Sequence, residues 1–236
     1  MKAISFEGSP WGVDDEPGRN RLRQRAQNLF GNNAGLIEGK TVLDLACNNG
    51  RMAYGAFQAG AASVTGVEIR DELIEKGREN MEKAGLTDRM KFIKSDIFEY
   101  MRSAEPGSFD VILCLGFLYH TVDQVEFFRE CARLRPETVI IDTSVAKNYF
   151  WFGRRMFGKP PALFLVSYED PSETRNTFDA DGIVYWPSTS YLEEMFRRTG
   201  YVPRRIPYNG KTVDDWDAMD DYRRGIRASY VARLKA

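Results

Sequence analysis

VLDLACNNGRMA, residues 42–53, decides the fold. With the preceding Lys40 and Thr41, a short apolar run (KTVLDLA, 40–46) breaks into a loop of small and amide residues and then resumes as a helix. An apolar run of this length ahead of a turn reads as a buried strand. Ligands of open α/β sheets bind at the C-terminal ends of such strands, so the loop is the first candidate site. Asp44 can hold the turn or meet a charged amino group. Asn48, Asn49 and Gly50 tolerate turn geometries that larger residues resist, and so bring backbone N–H groups toward a ligand. The loop fits neither GxGxxG nor GxxxxGK[ST], which argues against a pyrophosphate cradle.

Working outward, the same alternation repeats. A helix is expected over 51–59, a strand over 63–68, a helix over 71–84 ending at Gly85, and strands over 90–96 and 108–116. A helix over 122–134, with Val125, Phe128 and Ala132 turned inward, precedes a strand over 138–144. This rhythm predicts a mostly parallel sheet with right-handed crossovers. It breaks after Ser144. About forty residues pass before a helix over 188–200, with Ser188 as N-cap and Gly200 as its stop. That stretch holds NYFWFGRRMFG, PALFLVSY and IVYWP, an aromatic-rich insertion over 145–187 that reads as a cap over a pocket or as a homodimer surface. The tail segments YVPRRIPYNG and IRASYVARLKA read as a closing β-hairpin, joined by the acidic linker DDWDAMDD. At the other end, residues 1–30 form an arm whose helix carries Leu22, Ala26, Leu29 and Phe30 on one side. Arginines 19, 21, 23 and 25 cover much of the rest, either as a solvated face or as a lid that meets an anion.

Composition narrows the function classes. The 236 residues carry 33 Lys and Arg against 34 Asp and Glu, a formal charge of −1 that argues against a dedicated nucleic-acid domain. Cys47, Cys114 and Cys131 form no CxxC pair, and with His120 as the single histidine no Cys/His zinc site is expected. No apolar run is long enough to span a membrane, and the N-terminus has no apolar core of a signal peptide. A reducing, cytoplasmic setting is expected.

Three more positions point to the same pocket. Glu68 ends the second strand, eighteen residues beyond Gly50, where a carboxylate can accept both hydroxyls of a ribose. Nicotinamide enzymes use that position too, so an NAD-dependent oxidoreductase is an alternative. Asp96 in KSDIFEY can accept from the exocyclic amine of adenine beside Ile97, or cap a short helix. LCLGFLYHTVD (113–123) ends the fourth strand at Leu115. It brings His120, a candidate general base at its ordinary pKa of about 6.5, and Tyr119 to the pocket mouth.

DLACNNG, Glu68, SDIF and FDVILCLGFLYH together resemble the motif series of class I S-adenosylmethionine-dependent methyltransferases. The first motif there is an acid followed by GxGxG. Asp44 fits, Ala46 and Asn48 stand for the first two glycines, and Gly50 keeps the third. The resemblance covers residues 38–236. It implies a Rossmann-like, seven-stranded, mostly parallel sheet with an antiparallel last strand and helices on both faces. It also implies S-adenosylmethionine as cofactor and S-adenosylhomocysteine as product. Asp44, Ala46, Asn48, Gly50 and Leu115 would then lie on the methionine side, Glu68 on the ribose, and Asp96 and Ile97 on adenine.

A narrower similarity runs through LGFLYHTVD, YWPSTSYLEEMFRRTGY and the tail from Gly210, which resemble the catalytic domain of the tRNA wobble-uridine carboxymethyltransferases. Those grip a carboxylated cofactor with tyrosine, lysine and arginine. Tyr119 matches the tyrosine, and Arg227 is the candidate for the arginine across a longer intervening segment. The lysine has no counterpart that can be placed, and only a short arm precedes the catalytic region. O-methylation of a small molecule is the favoured expectation. Its acceptor would meet Trp11, Arg21, Arg25, Tyr149, Trp151, Tyr185, Trp186 and Arg227. A tRNA-modifying methyl- or carboxymethyltransferase and a non-catalytic cofactor-binding module stand beside it as competing expectations.

Overall fold

The structure is a computed structural model that describes residues 1–12, 15–147, 164–170 and 182–235. Strands β1 (Thr41–Leu45), β2 (Ser63–Glu68), β3 (Met90–Lys94), β4 (Val111–Leu115) and β5 (Thr138–Ser144) pair in parallel. The tail closes the sheet as expected. β8 (Tyr201–Arg205) and β9 (Arg227–Leu234) form an antiparallel pair, and β9 also runs antiparallel to β5. The seven-stranded order is β3-β2-β1-β4-β5-β9-β8. The strand order reverses direction between β1 and β4, which opens a crevice at their C-terminal ends.

Helices α1 (Glu16–Leu29), α2 (Arg51–Ala59) and α3 (Asp71–Lys83) cover one face. Helices α4 (Ile97–Ser103), α5 (Gln124–Leu134) and α6 (Thr189–Arg198) cover the other, over a core that includes Leu43, Ile112, Phe127, Phe128 and Phe196. Helix α7 (Asp220–Arg223) is one short turn in the acidic linker. Ser188 caps α6 by accepting from the Tyr191 amide at 3.2 Å. The inward stripe of α5 differs from the expected one. Gln124, Phe127, Phe128, Cys131 and Leu134 are buried, whereas Val125 is exposed, because the i, i+3, i+4, i+7 set from Gln124 faces the sheet. The three cysteines are free and buried.

The insertion contributes a second, two-stranded antiparallel sheet, β6 (Phe164–Tyr168) with β7 (Ile183–Pro187). The β-branched and aromatic residues of FLVSY and IVYWP carry the propensity for it. Strand β7 packs on the Leu118–His120 turn that follows β4. Tyr149 and Trp151 lie outside the described residues. Among the described residues no helix is long and apolar enough to cross a membrane.

Candidate functional site

The loop after β1 is built from left-handed backbone. Ala46 has φ 54°, Asn48 53° and Gly50 78°, so the three positions aligned with glycines in the family motif all need the conformation that glycine tolerates best. At Gly50 space adds to conformation, since a Cβ there would meet Met81 Cε at 3.0 Å and Phe92 Cζ at 3.1 Å. Asn48 stabilises its own bend, its side-chain oxygen accepting from the Asn49 amide at 2.8 Å.

Asp44 is 2% exposed, and its Oδ2 finds no hydrogen-bond partner among the described residues. Burial, helped by the nearby Glu68 carboxylate, pushes its pKa up to about 7. A buried carboxyl oxygen without a donor is matched by an incoming ammonium. Glu68 is equally buried but fully engaged. Oε2 accepts from the Asn48 amide at 3.0 Å, while Oε1 accepts from the Ile69 and Arg70 amides at 3.1 and 3.2 Å. The Arg70 guanidinium adds a bond at 2.9 Å. The Arg70 side chain is 30% exposed, so this outer partner of Glu68 faces solvent.

A narrow crevice runs on from Glu68, lined by Ala46, Ile69, Ser95, Asp96, Ile97 and Phe117. Asp96 does cap α4. Its Oδ1 accepts from the Phe98 and Glu99 amides at 2.8 and 3.1 Å, so Oδ2 remains outside that cap. Buried Ile97 and Phe117 supply flat apolar walls, and Leu115 ends β4 at the sheet edge. The structure thus brings Asp44, Ala46, Asn48, Gly50, Glu68, Asp96, Ile97 and Leu115 to one edge. An orphaned buried carboxyl, a diol acceptor and an apolar slot fit the amino, ribose and adenine parts of S-adenosylmethionine. A larger open cleft beside α3 and β3, lined by Glu75, Arg78, Glu79 and Phe92 among others, lies away from these strand ends.

The acceptor side departs further from expectation. His120 is 9% exposed, and burial followed by the Arg227 and Arg70 cations pushes its pKa down to about 4. The general-base role assumed an unperturbed imidazole. Here burial leaves the ring neutral at physiological pH and a weaker base than a free imidazole. Glu169, just after β6, lies 3.8 Å from its Nδ1. The Tyr119 ring lies 4.0 Å from the His120 ring, and the Arg227 guanidinium is among the charges that act on its hydroxyl. Burial raises its pKa, so it too is a neutral group.

Trp11 is no exposed acceptor contact. It is 3% exposed, stacked on Tyr54, and its indole N–H donates to the Asn49 carbonyl at 2.7 Å, fastening the arm to the cofactor loop. Arg21 is no open anion hook either, because Asp221 holds it bidentately at 2.8 and 2.6 Å. Arg23 is taken by both oxygens of Asp214 at 2.7 Å. The acidic linker is thus the counter-charge of α1. Tyr185 and Trp186 sit half-buried on β7, and the Trp186 indole N–H finds no acceptor among the described residues.

Sequence reasoning missed the centre of this side, Asp142 on β5. Its Oδ1 accepts from Arg25 at 3.0 Å and Arg227 at 2.6 Å. Its Oδ2 accepts from the Ser229 hydroxyl at 2.7 Å and from the Tyr222 hydroxyl. Burial alone would raise this carboxyl. The two guanidiniums outweigh it and hold the pKa below the usual range. A lone acid in the apolar run TVIIDTS was the available signal, since a fully buried carboxylate needs cationic partners. Among the described residues no group of His, Cys, Asp and Glu could hold a metal ion.

Residues 36–179 match the profile of a methyltransferase domain family. A ubiquinone biosynthesis O-methyltransferase of Actinobacillus pleuropneumoniae is 30% identical over 129 residues, 54% of this chain and 51% of that protein. One from Pseudomonas paraeruginosa is 33% identical over 122 residues, 51% of this chain and 50% of that protein. The chain therefore matches about half the length of these curated relatives. In fold, it is similar to the N-terminal domain of EvdMO1 solved with SAH and D-fucose, with TM-score 0.64 and 17% identity, covering 95% of this chain and 85% of that one. Magnesium protoporphyrin IX methyltransferase of Synechocystis, solved with SAH, gives 0.62 and 14%, over 96% and 91%. The [4+2]-cyclase SpnF gives 0.63 and 15%, over 98% and 91%, so this fold also serves other chemistry.

Proposed function

The chain belongs to the methyltransferase domain family, and from that premise we propose that it transfers a methyl group from S-adenosylmethionine to an oxygen of a small molecule. The observation that carries the reading is the orphaned Asp44 Oδ2 under a left-handed loop, at the edge where Glu68 and Asp96 also end. When bound, S-adenosylmethionine supplies an electrophilic methyl on a sulfonium. Asp44 receives the amino group, Glu68 exchanges Arg70 for the ribose diol, and Asp96 with Ile97 and Phe117 holds the adenine.

The residues past β4 align the acceptor and shut out water, with β7 packed on the Leu118–His120 turn. Tyr119 and His120 act there as neutral hydrogen-bonding groups that position the acceptor. A hydroxyl acceptor passes its proton to water as its oxygen takes the methyl group, with the Arg25 and Arg227 guanidiniums favouring the oxyanion character of the attacking oxygen.

The charge pattern supports a small molecule over tRNA. Arg21 and Arg23 are neutralised by the linker, and Arg197 and Arg198 by Glu193 and Glu194 at 2.8 and 2.9 Å. Phosphate binding needs such cations unpaired. Incubation with methyl-labelled S-adenosylmethionine, tRNA and a panel of hydroxylated aromatic and sugar acceptors tests the reading by mass spectrometry. Label on a small-molecule oxygen is expected. Label confined to tRNA, or no transfer despite cofactor binding, overturns it.

A further inference from the structure

We propose that residues 209–224 form a lid over the acceptor side, latched to α1 by the side-chain amides of Gln24 and Asn28 and by the guanidiniums of Arg21 and Arg23. Only the lid's service to a methyl acceptor rests on the methyltransferase reading. The segment is an excursion between β8 and β9, two strands that are already paired, so it can move without breaking the sheet. It carries its own small core of Val213, Met219 and Tyr222, separate from the two clusters that flank the sheet. It also bonds to itself. Asp215 Oδ1 accepts from the Asp217 and Ala218 amides at 3.1 and 3.0 Å, and Arg223 pairs with Asp220 at 2.6 Å. Gly210 and Gly225, the latter with φ 69°, stand at its two ends as hinge positions.

What ties the segment to α1 is polar. Gln24 is 2% exposed, and its side chain bonds to lid backbone. Its Oε1 accepts from the Asp214 and Asp215 amides at 2.9 and 3.2 Å, and its Nε2 donates to the Asp215 carbonyl at 3.2 Å. One turn on, the fully buried Asn28 donates to the Thr212 carbonyl at 2.9 Å. Arg21 holds Asp221 and donates to the Ala218 carbonyl at 3.0 Å, while Arg23 holds Asp214. The apolar side of α1, with Leu22, Ala26 and Leu29, belongs instead to the core beneath it. A polar face that parts exchanges its hydrogen bonds for bonds to water at small net cost, which an apolar face cannot do. Helix α1 therefore stays on the sheet, and the lid is the part that lifts.

The inner tip of the lid reaches the acceptor side. The Tyr222 hydroxyl donates to Asp142 Oδ2 and accepts from Arg25 Nε at 3.1 Å. Its ring lies against Tyr208, centroids 4.1 Å apart, and the Tyr208 hydroxyl shares a hydrogen bond with Ser229 of β9 at 3.0 Å. Lifting the lid withdraws Tyr222 and uncovers Tyr208, Ser229 and Asp142. Charge favours the closed position, because Asp214 and Asp221 of the lid face Arg23 and Arg21, and Asp221 also lies 4.0 Å from Arg227. The Arg23–Asp214 pair keeps 41% and 64% of its side-chain surface exposed, so salt screens it.

Hydrogen exchange by mass spectrometry on the full chain, free and saturated with S-adenosylhomocysteine, tests the lid at low and high sodium chloride. Peptides covering 209–224 should exchange through an opening that leaves β5 and β9 protected. High salt should speed that opening about two- to fivefold, the range open to partly exposed ion pairs. Gln24→Ala should speed it about tenfold at low salt, since several buried hydrogen bonds are lost together. Arg23→Asp should speed it as well, and Arg23→Asp combined with Asp214→Arg should return it to near the wild-type rate, a rescue that loss of packing would not show. Hydroxyl-radical labelling of Tyr208 should rise in step with the opening. Exchange of 209–224 only together with β9, an opening indifferent to salt, a charge swap that restores nothing, or Tyr208 labelling that does not follow the opening would each overturn the lid. Failure of S-adenosylhomocysteine to bind would instead overturn the methyltransferase reading, with exchange of the free chain still deciding the lid.

Discussion

Replacing Asp142 by Asn keeps the shape of the side chain and removes its charge. The carboxylate is fully buried and accepts from Arg25, Arg227, Ser229 and Tyr222 at once. The amide leaves two buried guanidiniums facing each other with no anion between them. Breaking a buried ion pair by removing one partner costs about 3–5 kcal/mol. Both arginines are nearly sealed, so solvent screening reduces this little. At roughly 2–4 °C per kcal/mol for a chain of this size, the melting temperature should fall by about 6–20 °C.

The pH dependence fixes the sign independently. A carboxyl whose folded pKa lies below its unfolded value stabilises the fold above the unfolded pKa of about 4, and loses that contribution as pH falls toward the folded value. The gap between wild type and Asp142→Asn should therefore be full at pH 7 and shrink below about pH 4. Urea unfolding at pH 7 and pH 3 measures both. A loss under about 1 kcal/mol at pH 7, or a gap that widens in acid, would refute the assignment of Asp142 as the anion that holds these arginines together.

Ala46→Gly should stabilise the fold by about 0.5–1 kcal/mol in urea unfolding, because relief of left-handed strain exceeds the added chain entropy; destabilisation would deny strain at this position. Asp44→Asn should raise stability above pH 7, since a buried acid with its pKa raised to about 7 costs stability progressively between about pH 4 and 7; equal stability at pH 8 would contradict that burial cost. Trp11→Ala should cost about 3–5 kcal/mol in stability and also weaken S-adenosylhomocysteine, because the indole holds the Asn49 carbonyl; unchanged affinity by calorimetry would separate the arm from the loop. His120→Ala should leave no change in the shape of the kcat–pH profile between pH 6 and 8, and loss of a limb in that range would restore the base role.

The parallel half of the sheet was readable because each strand is a short apolar run ending in a polar turn. The spans 51–59, 63–68 and 138–144 coincide with α2, β2 and β5. Strand β3 ends at Lys94 rather than residue 96 because Asp96 leaves the ladder to cap α4. The placing of Asp44, Ala46, Asn48 and Gly50 at one strand end was legible for the same local reason, since they belong to one strand-to-helix turn. The acceptor side was not, because its partners meet across the whole chain. Arg25 finds Asp142 across 117 residues and Arg21 finds Asp221 across 200. A run of arginines and a run of aspartates were both visible in the sequence, but only folding shows that they neutralise each other. The His120 shift was invisible for a related reason, as burial and the cations of Arg227 and Arg70 arise only in the folded chain.

The central claim is that the edge formed by Asp44, Glu68 and Asp96 binds S-adenosylmethionine through an ionised Asp44. Calorimetric titration of S-adenosylhomocysteine and of NAD, from pH 5.5 to 8.5, on wild type and Asp44→Asn tests it most directly. One S-adenosylhomocysteine per chain and no NAD should bind. The affinity should fall by up to about tenfold per pH unit below pH 7, and the variant should bind more weakly and without that dependence. Tight NAD binding without S-adenosylhomocysteine, or an Asp44→Asn protein that binds S-adenosylhomocysteine as well as wild type does at pH 8, would contradict it.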